Sequence, residues 1–338
     1  MGTNRRANAV LFGFDFQVNA AIVLMIENIT DLNEIRLESN NEDIDITLNS
    51  GNHILAQAKA IEKSSSDFTN VRKNLKKSLE SLSEGNSKVK ADKLILITNS
   101  PNPLNDDNSR SIFYGHAHRD FSTLPQSSQN IINEYLEKIN QPLNTDLFRI
   151  QVLPFETDDE NERYKVVLQE INDFIGNLKL QTPGLGKELH QIWKNQIFVN
   201  GSKKDETIFL NKKDIIWPAI VISTDIEKMG NDFEDYCDEF DFDEIVRQYK
   251  DIINYCSERF EFFTQIMYDF NNYRCVDGNK GFKNRMISFL NEKWTNYSYL
   301  FNESNVDVNM IEGVSKAILF TIIKKRYEID RIKQGVNL

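Results

Sequence analysis

Hydrophobic residues recur with two different periods along the first sixty positions, and these periods predict one helix followed by three strands. Residues 9–28 are almost continuously apolar, which is typical of a buried helix. Residues 34–38, 43–48 and 53–60 instead alternate apolar and polar side chains, as half-buried strands do. The polar break at residues 49–52 favours a turn that joins the second and third strands into a hairpin.

The pattern then returns to helical spacing and ends in a fourth strand. Apolar residues recur at spacings of three and four across residues 68–84, with a candidate N-terminal cap at residues 64–67. Gly85 follows and favours the end of that helix. Residues 93–98, with the sequence KLILIT, predict a buried strand. The predicted order is therefore helix, three strands, helix, strand.

Weaker signals complete the first part of the chain. Residues 129–139 and 163–178 have helical periodicity, and residues 147–153 are strand-like. The sequence TPGLG at residues 182–186 is rich in turn formers and favours a domain boundary. We therefore predict an α/β domain with a mixed sheet over residues 1–180 and a second domain over residues 187–338.

The second domain is predicted to be mainly α-helical. Asn200-Gly201, between two short apolar runs, favours a hairpin over residues 196–210. From Phe242 onward the pattern is helical, and Phe and Tyr side chains dominate the apolar stripes. No nucleotide-binding motif is visible in this part of the sequence. We therefore expect it to serve regulation, oligomerisation or the binding of protein partners.

Charge is distributed unevenly between the two parts. The whole chain carries a net charge of −11, which argues at first against binding to DNA. Residues 1–100, however, hold 12 basic and 13 acidic side chains, and the remaining 28 basic and 38 acidic side chains follow them. The acidity therefore belongs mainly to the second part, and the first part can still approach a polyanion.

Cysteine usage and hydropathy favour a soluble cytoplasmic protein. Cys237, Cys256 and Cys275 form no CxxC pair, so neither a disulfide framework nor a zinc ribbon is indicated. The longest uninterrupted apolar run, residues 20–26, is far shorter than the roughly 20 residues that cross a bilayer. The N-terminus lacks a cleavage pattern for secretion. We expect no membrane association.

Carboxylate, amide and ammonium groups meet at the predicted hairpin. Alternation along the second strand places Asp43 and Asp45 on one face, about 7 Å apart. The same rule places Gln57 and Lys59 on one face of the third strand. Oxygen ligands of this kind suit Mg²⁺, and a lysine beside the metal can stabilise the negative charge that develops during phosphodiester hydrolysis.

At these residues the sequence resembles the PD-(D/E)xK restriction-endonuclease-like superfamily. The motif EDID at residues 42–45 precedes QAK at residues 57–59, with the αβββαβ order of that superfamily. With GFDFQ at residues 13–17, the chain looks more narrowly like the double-stranded-DNA endonuclease domain of CD-NTase-associated effector nucleases. The same domain forms the nuclease subunit of Lamassu anti-phage systems. The resemblance covers about residues 8–175.

The resemblance implies an Mg²⁺-dependent endodeoxyribonuclease in bacterial anti-phage defence, with Mn²⁺ as a substitute metal. It makes Asp43 the principal metal ligand, although strand geometry makes Asp45 nearly as good, and it adds Gln57 as a ligand and Lys59 as a catalytic residue. Gln57 stands where Asp or Glu is more usual, which removes one negative charge from the metal site. Gln17 matches a helix residue that reaches towards the site in relatives.

The resemblance also implies partners: double-stranded DNA, an SMC-like ATPase with an accessory subunit of a defence complex, and further copies of the chain in an active homo-oligomer. Glu38 is an additional candidate ligand, although exposure at a strand end is the simpler interpretation. Four basic residues are candidates for phosphate contacts, and a solvated helix face explains them equally well: Arg72, Lys73, Lys76 and Lys77.

Three alternatives remain open. His116 and His118 could bind a metal or shuttle protons, but histidines in a polar loop are usually only solvated. A catalytically silent subunit that keeps the nuclease fold as a scaffold is a second possibility, although such a copy is expected to have lost Lys59 or both aspartates. A third is a nuclease switched by a cyclic nucleotide.

Overall fold

The computed structural model describes residues 7–62, 68, 70–156, 158–225, 233–237, 239–258, 260–274, 281–301 and 306–338. The chain divides into two compact units. The first extends to Asn177 and also contains Gly186–Ile216 and Val336–Leu338. The second consists of Leu178–Leu185 and Trp217–Gly335.

The first unit is built on a seven-stranded mixed sheet in the order β5-β6-β4-β3-β2-β1-β7. Its elements, in chain order, are α1 (Ala7–Glu27), β1 (Leu32–Leu37), β2 (Ile44–Leu48), β3 (His53–Lys59), α2 (Val71–Lys88), β4 (Ala91–Thr98), β5 (Ala117–Asp120), α3 (Gln126–Leu136), β6 (Phe148–Val152), α4 (Glu160–Asn177), α5 (Leu185–Gly201) and β7 (Leu210–Asn211).

Strand pairing creates an antiparallel half and a parallel half. β1, β2 and β3 form an antiparallel meander, in which Ile44 pairs with Ala56 and Asp45 with Leu55. β3 then runs parallel to β4, and β4 parallel to β6, so α2 is the crossover that a parallel pair requires. Both edge strands, β5 and β7, are antiparallel to their neighbours. The predicted order of helix, three strands, helix and strand is confirmed.

The two faces of the sheet are covered by different helices. α2 packs a stripe of leucines, Leu75, Leu79 and Leu82, into a core that also contains Leu55 of β3 and Leu94 of β4. α1 contacts β1, β2, β3 and α4. This arrangement explains why β4 is apolar on both faces over residues 94–97, while α1 is apolar around most of its circumference.

α1 is the one helix among the described residues that is long and apolar enough to cross a membrane. Most of its apolar stretch is buried inside the protein, with Phe16 and every residue from Ala20 to Met25 fully covered. A buried core helix passes the same test of length and composition. The burial of α1 is therefore that of a core helix in the first unit.

Glycine explains two differences between the sequence predictions and the structure. Gly85 lies inside α2 and does not end it. The residue is glycine because the carbonyl oxygen of Asn41 packs against the helix there, and a Cβ would lie 2.5 Å from that oxygen. Gly201 ends α5, and a Cβ there would lie 3.0 Å from the Leu37 side chain. The hairpin predicted over residues 196–210 is therefore wrong: both glycines permit close packing and neither forms a hairpin turn.

The division into units also differs from the boundary expected at residues 180–187, because α5 belongs with the sheet. Leu189, Trp193 and Ile197 recur every four residues along α5, and all three are buried. The buried guanidinium of Arg36 on β1 donates hydrogen bonds to the carbonyls of Asn200, Lys203 and Ile208, which fastens the end of α5 to the sheet. The candidate cap at residues 64–67 lies outside the described residues.

The second unit is helical, as predicted. It contains α7 (Phe242–Glu258), α8 (Phe260–Asn272), α9 (Phe282–Lys293) and most of α10 (Ile311–Val336), while α6 (Lys212–Ser223) begins in the first unit. The core of the second unit is aromatic: Phe242, Phe270, Phe289 and Phe320 are almost fully buried. The Phe and Tyr stripes of the sequence are therefore core positions.

Candidate active site

Asp43 and Lys59 form an ion pair at one end of the β2–β3 hairpin. Asp43 is the residue before β2 and Lys59 is the last residue of β3. The Lys59 Nζ lies 3.4 Å from Asp43 Oδ2, and the backbone N–H of Ala58 donates to the same oxygen at 3.1 Å. Both side chains are about one-quarter exposed, so solvent and ligands can reach the pair.

Gln17 and Glu38 extend this ion pair into a polar cluster. The Gln17 amide on α1 donates to Glu38 Oε1 at 2.6 Å and to the backbone carbonyl of Asp43 at 3.1 Å. The backbone N–H of Glu38 donates to the same carbonyl at 2.8 Å. Glu38 has a φ of 52°, in the left-handed region that costs a non-glycine residue energy. Such strain concentrates at functional sites.

Gln57 belongs to the same cluster by strand register. Since Ile44 pairs with Ala56, continuing the register by one residue places Asp43 opposite Gln57. Residues opposite each other on neighbouring strands share a face of the sheet. Gln57 is 5 % exposed, so it is the buried member of this set. The structure therefore brings four of the predicted site residues together: Gln17, Asp43, Gln57 and Lys59.

Glu42 is a buried carboxyl directly beside Asp43. Its Oε1 accepts hydrogen bonds from the backbone N–H of Asp43 and from the hydroxyl of Ser81 on α2, both at 3.0 Å. Its Oε2 is buried and has no hydrogen-bond partner among the described residues. Burial and the neighbouring Asp43 charge together raise the pKa of Glu42 to about 7, against the opposing effect of its two hydrogen bonds and of Lys59.

Asp45 is in a different environment and does not join the cluster. It is fully buried, and both of its carboxylate oxygens accept hydrogen bonds: Oδ1 is 2.7 Å from His53 Nδ1, and Oδ2 is bonded by the side chains of Ser39 and Asn41. Sequence alternation placed Asp45 on the correct face, but the loop before β2 covers it there. We assign Asp45 a role in holding this loop.

The oxygen donors of the cluster fit a hard divalent cation. Asp43 and Glu38 supply carboxylates, and Gln57 supplies an amide oxygen, which are ligands that Mg²⁺ accepts together with water. The unpartnered buried Oε2 of Glu42 adds an acceptor whose hydrogen-bonding capacity is unused. Of the three carboxyl groups, Asp43 is partly exposed beside Lys59, Glu38 is exposed and Glu42 is buried.

The four candidate phosphate contacts on α2 have different settings. Lys73, Lys76 and Lys77 are exposed, and Lys76 lies 3.7 Å from Glu80. Arg72 is half-buried and donates to the carbonyl of Asn105, so it is used in part by the fold. The first turns of α2 and Lys59 line one small cavity. The exposed lysines therefore lie on the helix whose N-terminal end adjoins the ion pair.

Sequence reasoning underrated two carboxylates. Glu38 is exposed at the end of β1, as expected, and its carboxylate also accepts a hydrogen bond from Gln17 beside Asp43. Glu42 was noted only as part of the EDID motif. A signal for Glu38 existed in the register, because the turn between β1 and β2 places it opposite Asp43. No signal for the burial of Glu42 existed, since α2 supplies that burial.

No protein-family model, curated protein or solved structure matches the chain. Geometry and the motif resemblance therefore carry the functional argument.

Proposed function

We propose that the chain is a metal-dependent endonuclease that hydrolyses phosphodiester bonds in double-stranded DNA, and that its first unit has the restriction-endonuclease-like fold. The observation that carries the proposal is the Asp43–Lys59 ion pair between β2 and β3, with Gln17 and Gln57 beside it. This residue set, in this strand order, is the one that the PD-(D/E)xK resemblance implies.

In the proposed site, Asp43, Glu38 and Gln57 would hold Mg²⁺, with Mn²⁺ as a substitute. The metal supplies an acidified water and neutralises charge on the phosphoryl oxygens. Gln17 fixes the Glu38 carboxylate through its 2.6 Å hydrogen bond. Ala58 N–H and Glu42 fix Asp43 at its side chain and at its backbone. These contacts pre-organise the ligands before the substrate binds.

Lys59 is the cation proposed to act on the reacting phosphate. Its ammonium group lies beside Asp43 and remains 28 % exposed, so it can contact a phosphoryl oxygen without leaving the cluster. Negative charge increases on these oxygens as hydrolysis proceeds, and a fixed ammonium stabilises that charge more strongly than it stabilises the ground state.

The biological setting proposed for this activity is an effector role in bacterial anti-phage defence, in the cytoplasm. It rests on the motif resemblance to the nuclease subunit of Lamassu systems. In that setting the partners are an SMC-like ATPase and an accessory subunit, and the active form is a homo-oligomer. Paired active sites suit the two cuts that a duplex needs, and symmetric assemblies are the commonest oligomers.

A silent scaffold subunit is the alternative from a different class. Its distinguishing feature would be loss of the ion pair or its supports, yet Asp43, Lys59, Gln17 and Gln57 are all retained and gathered. We therefore favour an active enzyme. The test is incubation of the purified full chain with supercoiled plasmid in Mg²⁺, in Mn²⁺ and in EDTA. The proposal expects cleavage in both metals and none in EDTA, whereas intact plasmid throughout would favour the scaffold.

We expect charge reversal of Lys73 and Lys77 to weaken the binding of every DNA sequence alike. Both side chains are exposed on α2, away from its buried leucine stripe. Contacts to phosphates give a salt dependence of about 0.9 log units in affinity per phosphate neutralised. The double variant Lys73→Glu/Lys77→Glu should therefore flatten the plot of log affinity against log salt by up to about 1.8. Binding isotherms at several salt concentrations measure this slope.

A matched control separates local contact from net charge. Lys138→Glu/Lys165→Glu changes the charge by the same amount at exposed positions on other parts of the first unit. It should leave the slope nearly unchanged. Equal slopes for the two double variants would contradict the phosphate contacts and leave the α2 lysines as part of a solvated helix face.

A further inference from the structure

Two histidines and a glutamate meet at the far end of the first unit. Glu27 is the last residue of α1, His116 precedes β5, and His118 lies on β5. The interpretation of these histidines as solvated loop residues is wrong, because their Nε2 atoms lie 3.2 Å from each other. Glu27 Oε1 lies 3.5 Å from the Nε2 of His118 and 3.9 Å from that of His116.

These separations are close to those of three ligands around one zinc ion. Bonds of about 2.0 to 2.1 Å in a tetrahedral arrangement place ligand atoms about 3.3 Å apart. The distance between the histidine nitrogens already has this value, and the two distances to the carboxylate exceed it by a few tenths of an ångström. All three donor atoms lie within 4.8 Å of one another, as ligands of a common ion must.

Surrounding groups orient the ligands. The second ring nitrogen of His116 lies 3.1 Å from Glu170 Oε1 on α4, which is the carboxylate–histidine arrangement that usually supports a metal-bound imidazole. The amide of Gln151 on β6 donates to Glu27 Oε1 at 2.8 Å and lies 3.3 Å from His116 Nε2. Gln151 is fully buried, and its Oε1 has no hydrogen-bond partner among the described residues.

Electrostatics also favour a bound cation. Two imidazole nitrogens 3.2 Å apart cannot both carry a proton without steric and electrostatic conflict, so at least one offers its lone pair.

We propose that Glu27, His116 and His118 form a zinc-binding site with a fourth coordination position open to solvent. The side chains are 15 to 33 % exposed, which leaves access on one side. Mixed imidazole and carboxylate ligands suit Zn²⁺, whereas Mg²⁺ prefers oxygen ligands. Glu27 lies ten residues beyond Gln17 on α1, about 15 Å along the helix, so this site is separate from the Asp43–Lys59 cluster.

Bound zinc would join α1 to the edge of the sheet at β5, next to α4. α1 supplies Glu27, the edge strand β5 and the residue before it supply the two histidines, and α4 supports His116 through Glu170. β5 has only four residues and pairs with β6 alone. A ligand that binds the folded state and not the unfolded state stabilises the fold, so zinc is expected to raise the unfolding temperature of the first unit.

The test uses the full chain, stripped of metal with EDTA, dialysed and held in excess Mg²⁺ to occupy hard-cation sites. Calorimetric titration with Zn²⁺ should show one equivalent bound per chain, and Co²⁺ should give the intense visible absorption of a four- or five-coordinate ion. His118→Ala should abolish both signals. Glu170→Gln, which removes an orienting group and no ligand, should weaken zinc binding by about 10- to 100-fold.

Two controls distinguish this site from others. His53→Gln removes the pair between His53 and Asp45, and Asp43→Asn alters the proposed nuclease centre; both should leave zinc stoichiometry and affinity unchanged. Circular dichroism confirms that each variant is folded, and Glu170→Gln keeps the test decisive if His118→Ala does not fold. Absence of saturable zinc binding by the wild-type chain, or full affinity in both His118→Ala and Glu170→Gln, would overturn the proposal.

Discussion

Replacing Lys59 with alanine should lower the rate of DNA cleavage by at least about 100-fold, because a preorganised group that stabilises transition-state charge contributes on the order of 100- to 1,000-fold. The fold should be unaffected. Lys59 is the last residue of β3, its ammonium group is partly exposed, and its side-chain partner Asp43 keeps a second hydrogen bond from Ala58. Single-turnover cleavage of supercoiled plasmid with enzyme in excess measures the chemical step without product release.

The matched control for this prediction is Lys138→Ala, which removes an exposed lysine from the same unit. It should cleave at the wild-type rate. Lys59→Arg is a second comparison: it keeps the charge but changes its shape, and an intermediate rate is expected because guanidinium and ammonium groups are not interchangeable at a fixed site. Undiminished cleavage by Lys59→Ala would remove Lys59 from the chemistry.

Replacing Arg36 with methionine should destabilise the first unit by at least about 3 kcal/mol. Arg36 is fully buried, and its guanidinium donates three hydrogen bonds to backbone carbonyls at the end of α5 and in the segment that follows. A hydrogen bond to a charged group contributes about 1.5 to 3 kcal/mol, and Arg36→Met removes three of them. The carbonyl of Lys203 then has no other donor among the described residues, whereas those of Asn200 and Ile208 keep the Lys203 N–H and the Asn200 amide. The guanidinium also lies at the negative end of the helix dipole of α5, and methionine removes that interaction.

Urea unfolding followed by Trp193 fluorescence measures this effect, because Trp193 is buried on α5 and donates to the carbonyl of Ile215. Trp217→Phe and Trp294→Phe leave it as the single reporter. Arg119→Met, at a half-buried arginine on β5, is the matched control and should shift the midpoint much less. Similar midpoints for Arg36→Met and its parent would show that α5 is not held by Arg36.

The sequence predicted the elements whose periodicity arises from local burial. α1, β1 to β4 and α2 each bury one regular set of side chains, so spacing alone indicated them, and strand alternation indicated that Asp43 and Lys59 share a face. Edge strand β5 was missed because four residues give too little alternation. The last turn of α5 was predicted as part of a hairpin, because Asn200-Gly201 is also a turn sequence. The glycine is needed there for close packing against Leu37, which lies more than 160 positions earlier in the chain.

The alternation of side chains along a strand also cannot indicate whether a loop covers one of its faces. Asp43 and Asp45 have the same parity, yet one is partly exposed beside Lys59 and the other is sealed by Ser39, Asn41 and His53. The His116–His118 pair is a similar case. Its partners, Glu27 and Glu170, come from helices far apart in sequence, so no local pattern could have indicated the cluster.

The most direct test of the nuclease assignment is plasmid cleavage in Mg²⁺ by Asp43→Asn and Asp45→Asn, compared at equal folded concentration with the wild-type chain. These matched variants neutralise two carboxylates that lie two residues apart at the start of β2. The account predicts metal-dependent cleavage by the wild-type chain, loss of at least about 100-fold in Asp43→Asn, and retained cleavage with reduced thermal stability in Asp45→Asn. Equal cleavage by Asp43→Asn and the wild-type chain would contradict it.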